Sequence, residues 1–225
     1  MVSHCNTCSE REFYADDLSK YIDVQIKGRC GNTDRQDCPK GDHTCVRHFI
    51  PNSKFYLAFE NSYCKDYYSE KIAKATIYNV IPIVLGAANY TTFLPPHSYI
   101  DVEDYASAKD LAEYLHYLNR NHTEYLSYFW WQEHYLHLGM SQITNRVMCK
   151  ICEKLHDPKL QPQVYEDVGV WYKSSCQGRG SFPWSRPEKA FMGCTRNFNY
   201  TFDAQGLFQD KVKNNYSLSI SKTKI

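Results

Sequence analysis

F-Y-L-A-F-E-N-S-Y-C-K-D-Y-Y-S-E-K, residues Phe55 to Lys71, is the stretch from which the fold can be read. Its first five residues are apolar and aromatic without a break, the composition of a short buried strand. A polar turn follows. From Tyr68 to Asn79 the stripe Ile72, Ala73, Thr76 and Ile77, continued by Val80, recurs close to helical period. Ile81 to Leu85 is then a nearly continuous aliphatic run, which suits a parallel strand covered on both faces. Strand, helix and strand in this order make a βαβ unit, whose two strands run parallel.

The same alternation extends in both directions. Met1 to Ser3 reads as a short strand. Arg11 to Tyr21 reads as a helix with Tyr14, Leu18, Tyr21 and Ile22 on one face, and Asp23 to Ile26 as a strand. Residues 28–52 are rich in Gly, Cys, Asp, Asn and Pro, which predicts a loop pinned by Cys30, Cys38 and Cys45 in an undetermined pairing. Downstream, Tyr99 to Val102 reads as a strand. Ser107-x-x-Asp110 resembles a capping box opening a helix with Leu111, Ala112, Leu115 and Leu118 inward. Thr123 to Glu133 and Ser141 to Leu155 read as further helices, and Trp130 and Trp131 as core. Beyond Asp157 the sequence is polar and irregular. The expected architecture is α/β, a Rossmann-like, doubly wound parallel sheet over residues 1–157 with an irregular Cys-containing tail over 158–225. Such sheets bind ligands beyond the carboxyl ends of their strands.

Composition narrows the function. The net charge of +1 gives no electrostatic case for a nucleic-acid partner. The longest apolar run, Val80 to Ala88, is broken by Pro82 and falls far short of the roughly 20 residues of a membrane span. Met1 is followed by no basic or apolar leader, which taken literally predicts a cytosolic protein. The ten cysteines and the sequons at Asn89, Asn121, Asn199 and Asn215 argue instead for a secretory-pathway lumen. A lumenal protein without an entry signal is expected to be a truncated one. Cys5-x-x-Cys8 and Cys149-x-x-Cys152 have zinc-type spacing, but about 140 residues separate them, against the few tens of a compact zinc module. None of the nine histidines falls in a nucleophile or ligand cluster.

The turn after Phe59 has the chemistry of an anion site. A helix start offers unpaired N–H groups and the positive end of a dipole. Lys71 adds a full charge, Glu70 can accept hydrogen bonds from sugar hydroxyls, and Tyr67 can bond a phosphate. On physical grounds alone the plainer reading is favoured, a first-turn acid beside a solvated lysine.

The resemblance of several blocks changes that weighing. The run Phe55 to Lys71, I-P-I-V-L-G (Ile81 to Gly86), A-N-Y-T-T-F-L-P-P (Ala88 to Pro96), Y-I-D-V-E-D-Y (Tyr99 to Tyr105) and Y-L-S-Y-F-W-W (Tyr125 to Trp131) together resemble the donor domain of glycosyltransferase family 10, the α1,3/4-fucosyltransferases. The upstream C-N-T-C-S-E-R-E-F-Y and G-R-C-G-N are similar to the region preceding that domain. Cys149-Lys-Ile-Cys152 and the Cys-bearing tail look most like the core-type enzymes of invertebrates and plants.

The resemblance implies the C-terminal half of a GT-B glycosyltransferase that binds GDP-fucose and transfers fucose with inversion to a GlcNAc-containing N-glycan of a glycoprotein. The family's Tyr-x-x-Glu-Lys signature falls on Tyr67, Glu70 and Lys71, with Ser69 where the family more often has Thr. Asn61 would line the same pocket. The family's diphosphate-binding arginine falls on Arg11, with Tyr14 as the aromatic three residues on. Arg11 and Lys71 would neutralise the departing GDP, so no metal or other cofactor is expected to be required. The resemblance also implies a disulfide for Cys149 and Cys152. It further implies a Golgi enzyme whose membrane anchor, acceptor domain and catalytic base lie outside this sequence, or else a non-catalytic GDP-sugar-binding or interaction module.

Overall fold

The computed structural model describes residues 2–3, 7–28, 45–136, 138, 140–161, 164–177, 182–186, 201–202 and 208–209. The centre is a parallel sheet of β3 (Phe55–Phe59), β4 (Ile81–Leu85) and β5 (Ile100–Asp101), in that order. Phe55 pairs with Ile81 and Phe59 with Leu85, and Ile83 pairs with Ile100. A second parallel pair joins β1 (Val2–Ser3) to β2 (Lys27–Gly28). The pairing thus falls on Lys27–Gly28, just beyond the alternating Asp23 to Ile26.

Strand geometry explains the two-faced burial. Successive side chains point to opposite faces, so Leu57, Phe59, Ile81, Ile83 and Leu85 join one core and Tyr56, Ala58 and Val84 the other. The first core is covered by α1 (Arg11–Leu18), through Tyr14, Ala15 and Leu18, and by α4 (Ala108–Arg120), through Leu111, Ala112, Leu115 and Leu118. The second is covered by α3 (Glu70–Ile77), through Ile72 and Ala75. Helices on both faces of a parallel sheet are the expected doubly wound α/β arrangement.

Several element boundaries differ from the sequence reading, each for a local reason. Helix α1 stops at Leu18, and the chain turns back with Ile22 N–H bonding the Leu18 carbonyl, which leaves Tyr21 exposed. On α3 the inward residues are Ile72 and Ala75; Ile77 is 54% exposed. The short Ala75 lets the helix lie close on the sheet, and Tyr68 stacks on Phe93 outside the helix. Part of the expected cysteine-rich loop is helical: α2 (Cys45–Phe49) runs into a 3-10 turn at Ile50–Asn52 that buries Ile50. The helix expected from Thr123 divides into α5 (His122–Ser127) and a 3-10 turn at Trp130–Glu133, where Trp131 is buried and Trp130 is 39% exposed. Helix α4 starts as its sequence predicts, with Ser107 Oγ accepting the Asp110 N–H at 3.2 Å and donating to Asp110 Oδ2 at 2.7 Å.

Helix α6 (Met140–Leu155) carries Cys149 and Cys152 as free, exposed thiols. The expected Cys149–Cys152 disulfide is therefore corrected. Residues three apart on a continuous helix hold their Cβ atoms about 5–6 Å apart, whereas a disulfide draws them to about 3.5–4.5 Å. Cys30 and Cys38 lie outside the described residues, as does the side chain of Cys45, and so do the sequons at Asn199 and Asn215.

The chain beyond Asp157 is not merely irregular. The compact unit runs from Met1 to Cys194. After α7 (Val168–Ser174) the chain returns to the sheet's carboxyl edge, where Cys176 is disulfide-bonded to Cys64, a bond the sequence reading missed. Lys65 N–H bonds the Ser175 carbonyl at 2.9 Å and Gln177 N–H bonds the Tyr63 carbonyl at 2.8 Å. A disulfide spanning 112 residues of sequence removes on the order of 4–5 kcal/mol of unfolded-state chain entropy in the loop-closure account. In the second unit, residues 195–225, β6 (Thr201–Phe202) and β7 (Phe208–Gln209) form an antiparallel pair.

Candidate functional site

The site forms where β3 ends. Phe59 is fully buried, and the next residue, Glu60, is also 0% exposed. Glu60 is the centre of a polar cluster. Its Oε1 accepts the Ser69 N–H and Oγ, both at 2.9 Å, and its Oε2 accepts Ser69 Oγ and Lys71 Nζ, both at 2.8 Å. Lys71, 12% exposed in its side chain, is therefore a buried partner and not a solvated lysine. Its Nζ also donates to Ser69 Oγ at 2.5 Å. An ammonium has three donors, so one remains for a ligand.

Ser69 is the residue preceding α3, but its side chain makes no capping bond. Its hydroxyl is committed to Glu60, and the first amide of α3 is met by the side chain of its own residue, Glu70.

Arg11 reaches the same place from the other side. It opens α1 with 1% exposure, and its Nη1 donates to the Phe59 carbonyl. A cation is doubly out of place there, in a desolvated position and at the positive end of a helix. Burial lowers its pKa, while Glu12, Glu60, Tyr56 and Tyr67 act the other way. The backbone before it is strained: Glu10, 1% exposed, has φ 54°. Ser9 ties this turn to the strand end, with its Oγ donating to the Glu60 carbonyl at 2.6 Å and its N–H to the Asn61 carbonyl at 3.1 Å. Arg11 and Lys71 are thus fastened to consecutive residues, one to the carbonyl of Phe59 and the other to the carboxylate of Glu60.

Tyr67 follows Asp66, a second non-glycine residue with positive φ, 61°. Its hydroxyl is pushed up in pKa first by burial and then by Glu60, Tyr172 and Glu70, with Arg11 opposing. Arg11 and Glu60 are thus both near enough to act on the phenol. Asn61 is exposed beside the site. Glu70 turns outward, its side chain 61% exposed, and bonds Lys74 Nζ at 3.1 Å. Burial pushes its pKa up, but the Lys74 hydrogen bond and the charges of Lys71 and Lys74 outweigh that and hold it below the ordinary value.

One glycine matters here. Gly86 ends the β4 run, and a Cβ on it would stand 2.6 Å from the Tyr90 hydroxyl and 3.4 Å from Glu60 Cγ. Its bare backbone makes room for both. Glu60 was quoted in the sequence stretch without being singled out. The available signal was a carboxylate placed directly after a fully apolar strand, one turn before a helix start.

Among the described residues no cluster of three His, Cys, Asp or Glu side chains could hold a metal. Cys8, one of the four cysteines in the zinc-type pairs, is disulfide-bonded. No helix among the described residues is long and apolar enough to cross a membrane.

The sequence model of the C-terminal region of glycosyltransferase family 10 (fucosyltransferase) matches residues 1–171. Alpha-(1,3)-fucosyltransferase C of Drosophila melanogaster is 40% identical over 178 residues, covering 78% of this chain and 40% of that protein. Alpha-(1,3)-fucosyltransferase fut-1 of Caenorhabditis elegans is 32% identical over 193 residues, covering 83% of this chain and 44% of its own length. The chain therefore spans about two fifths of the length of these relatives. A crystal structure of an α1,3-fucosyltransferase with GDP-fucose shares the fold, with a TM-score of 0.54 and 20% identity over 72% of this chain and 48% of that one.

Proposed function

The chain belongs to glycosyltransferase family 10, the fucosyltransferases, and from that premise we propose that it forms the donor-nucleotide half of an α1,3-fucosyltransferase. The observation that carries this reading is the convergence of buried Arg11 and Glu60-anchored Lys71 on the carboxyl end of β3, beside the uncapped start of α3. Two fixed cations and a helix N-terminus suit a diphosphate. Tyr67 stands ready to donate to the same group, and Glu70 and Asn61, both exposed, face the solvent side where the sugar would lie.

In the reaction, the bond between the fucose anomeric carbon and the β-phosphate oxygen breaks as an acceptor hydroxyl attacks from the opposite face, inverting the centre. Negative charge grows on GDP as it leaves. Arg11 and Lys71 stabilise it without rearranging, because Phe59 and Glu60 already hold them in place. This is the role a metal plays in other transferases, so none is required. The acceptor is a GlcNAc-containing N-glycan of a glycoprotein, and its proton needs a base on the face away from GDP. Glu60 is committed to Ser69 and Lys71, and Glu70 to Lys74. The base is therefore neither of these two carboxylates. The Cys64–Cys176 disulfide supports an oxidising lumen, and the family points to the Golgi.

The same commitment of both carboxylates supports a second reading for the chain by itself, a module that binds GDP-fucose without transferring fucose. Calorimetric titration of the oxidised chain with GDP-fucose tests the shared premise. Saturable binding that Arg11→Ala abolishes supports the donor site. A folded chain that takes up no GDP or GDP-fucose would remove it.

A further inference from the structure

The stretch between β3 and α3, residues 60–69, carries Tyr67 and is fastened near both ends. Ser9 N–H bonds the Asn61 carbonyl at 3.1 Å, and Ser69 N–H bonds Glu60 Oε1 at 2.9 Å. Its middle is fastened by residues 175–177, which lie past residue 171, where the match to the family model ends. Cys64 and Cys176 face one another in an antiparallel bridge and are joined by the disulfide. Backbone bonds flank them on both sides, Lys65 N–H to the Ser175 carbonyl at 2.9 Å and Gln177 N–H to the Tyr63 carbonyl at 2.8 Å.

The far side of this bridge has its own footing. Asp167 caps α7, its Oδ1 accepting the Val170 N–H at 2.9 Å. The end of α7 leads directly into the bridge, with the Ser175 and Cys176 N–H groups bonding the carbonyls of Tyr172 and Lys173 at 3.2 and 3.1 Å.

What the bridge holds is an unfavourable turn. Tyr67 N–H bonds the Cys64 carbonyl at 3.2 Å and closes a four-residue turn over residues 64–67. Asp66 is its third residue and has φ 61°. Positive φ at that position favours Gly or Asn. A residue held in so sparsely populated a region persists only where its surroundings over-determine it. Asp66 is exposed, so packing of its own side chain does not supply that restraint. Cys64, at the start of the turn, is 0% exposed and covalently tied. A change of φ at Asp66 would redirect the chain that follows, and the next residue is Tyr67.

We infer that the Cys64–Cys176 disulfide and its two flanking backbone bonds are a positioning device for the donor site, which hold the turn at residues 64–67 in the shape that aims Tyr67 at the diphosphate. The inference rests on the donor reading above. Cys64 and Cys176 act through Tyr67, and the gain is pre-organisation: a loop already in its binding shape spares the ligand the cost of ordering it.

The test is calorimetric titration of the full chain with GDP, with near-ultraviolet circular dichroism to establish folding. Cys64→Ala with Cys176→Ala should weaken GDP binding about tenfold or more. Adding Asp66→Gly, which relieves the left-handed position, should recover about fivefold of that loss, against less than about twofold when the disulfide is intact. In a Tyr67→Phe background the same pair of alanines should cost less than about twofold, because the residue they act through is already gone. Where the alanine pair prevents folding, Gln177→Pro takes its place, since it keeps the disulfide and removes only the bond to the Tyr63 carbonyl; a loss of about threefold, with the same two comparisons, is then expected. A folded variant that binds GDP as wild type does, no recovery with Asp66→Gly, or an equal loss in the Tyr67→Phe background would each overturn the inference. Failure of the wild-type chain to bind GDP removes the donor reading and this one together, whereas wild-type binding that survives loss of the clamp removes this one alone.

Discussion

Lys71→Ala is the substitution that separates structure from binding at the donor site, provided it is read through a double-mutant cycle. A solvated lysine would be removed at a cost within about 0.5 kcal/mol, which is what the sequence alone leads one to expect. The structure requires a larger effect. Glu60 is 0% exposed and loses its hydrogen-bonded cation, because Ser69 supplies hydrogen bonds but no charge. Removing one partner of a buried pair costs about 3–5 kcal/mol. For a unit of this size, about 2–4 °C of Tm follows each kcal/mol, giving a drop on the order of 6–20 °C. Glu60→Gln with Lys71→Ala removes the stranded charge and keeps an acceptor for Ser69. The double variant should therefore melt well above Lys71→Ala, with a coupling of about 0.5–3 kcal/mol. It should still fail to bind GDP-fucose, since one diphosphate cation is gone. Thermal melts and calorimetry on wild type, both single variants and the double variant decide it. An unchanged Tm in Lys71→Ala would refute the buried-pair argument. A double variant that regains GDP-fucose affinity would show that Lys71 is structural and not a ligand for the diphosphate.

Three further outcomes follow from the geometry. Gly86→Ala should destabilise by about 1–3 kcal/mol in urea melts, because the new methyl meets the Tyr90 hydroxyl at 2.6 Å and that ring, 3% exposed, has little room to move. Mass spectrometry of secreted protein should find a glycan on Asn89 in preference to Asn121. Asn89 is exposed, while the Asn121 carboxamide is engaged at both ends, accepting the Glu124 N–H at 3.1 Å and donating to Tyr117 at 2.9 Å. Burial raises the pKa of Asp17, but hydrogen bonds from Lys20 and Arg186 outweigh it and hold the carboxyl below its ordinary value. A depressed carboxylate stabilises above its unfolded pKa, and that contribution disappears as pH falls through the lower folded value. Trp184 fluorescence should therefore report loss of the Arg186–Asp17 pair only as pH falls below the ordinary carboxylate range, and a transition near neutral pH would contradict this pairing.

The sheet was legible because its strands are buried on both faces. Phe55–Phe59 and Ile81–Leu85 are unbroken apolar runs, and no neighbouring element had to be known to recognise them. Helix α4 was equally plain, since its cap and its inward leucines are local features. The inward face of α3 was less so. Hydropathy ranks Ile77 above Ala75, but what a short helix presents to a flat sheet is decided by how closely its backbone can approach, and Ala75 wins on size. The placement of Cys176, Phe182 and Trp184 was invisible for a different reason. Nothing near Cys176 says that its partner is 112 residues earlier, and the rings of Phe182 and Trp184 become a wall only when Tyr14 and Tyr63 stand opposite.

The donor residues divide in the same way. Lys71, Tyr67 and Arg11 were found by their resemblance to a family, whereas the residue that organises them, Glu60, was passed over because a glutamate after a strand ordinarily reads as a solvated turn. Its burial depends on Ser9, on Ser69 with Lys71, and on Gly86, which arrive from three separate segments. The physical sign of function is the concentration of costs at this one place: a cation buried at the positive end of α1, left-handed backbone at Glu10 and Asp66, and an ion pair that apolar residues could replace without loss of stability. Asn79 and His97 are left-handed too, but at this place such backbone coincides with a buried arginine and a buried carboxylate paired with a lysine. A fold has no need of such an arrangement for its own stability, whereas a site that must hold positive charge still while a diphosphate departs does.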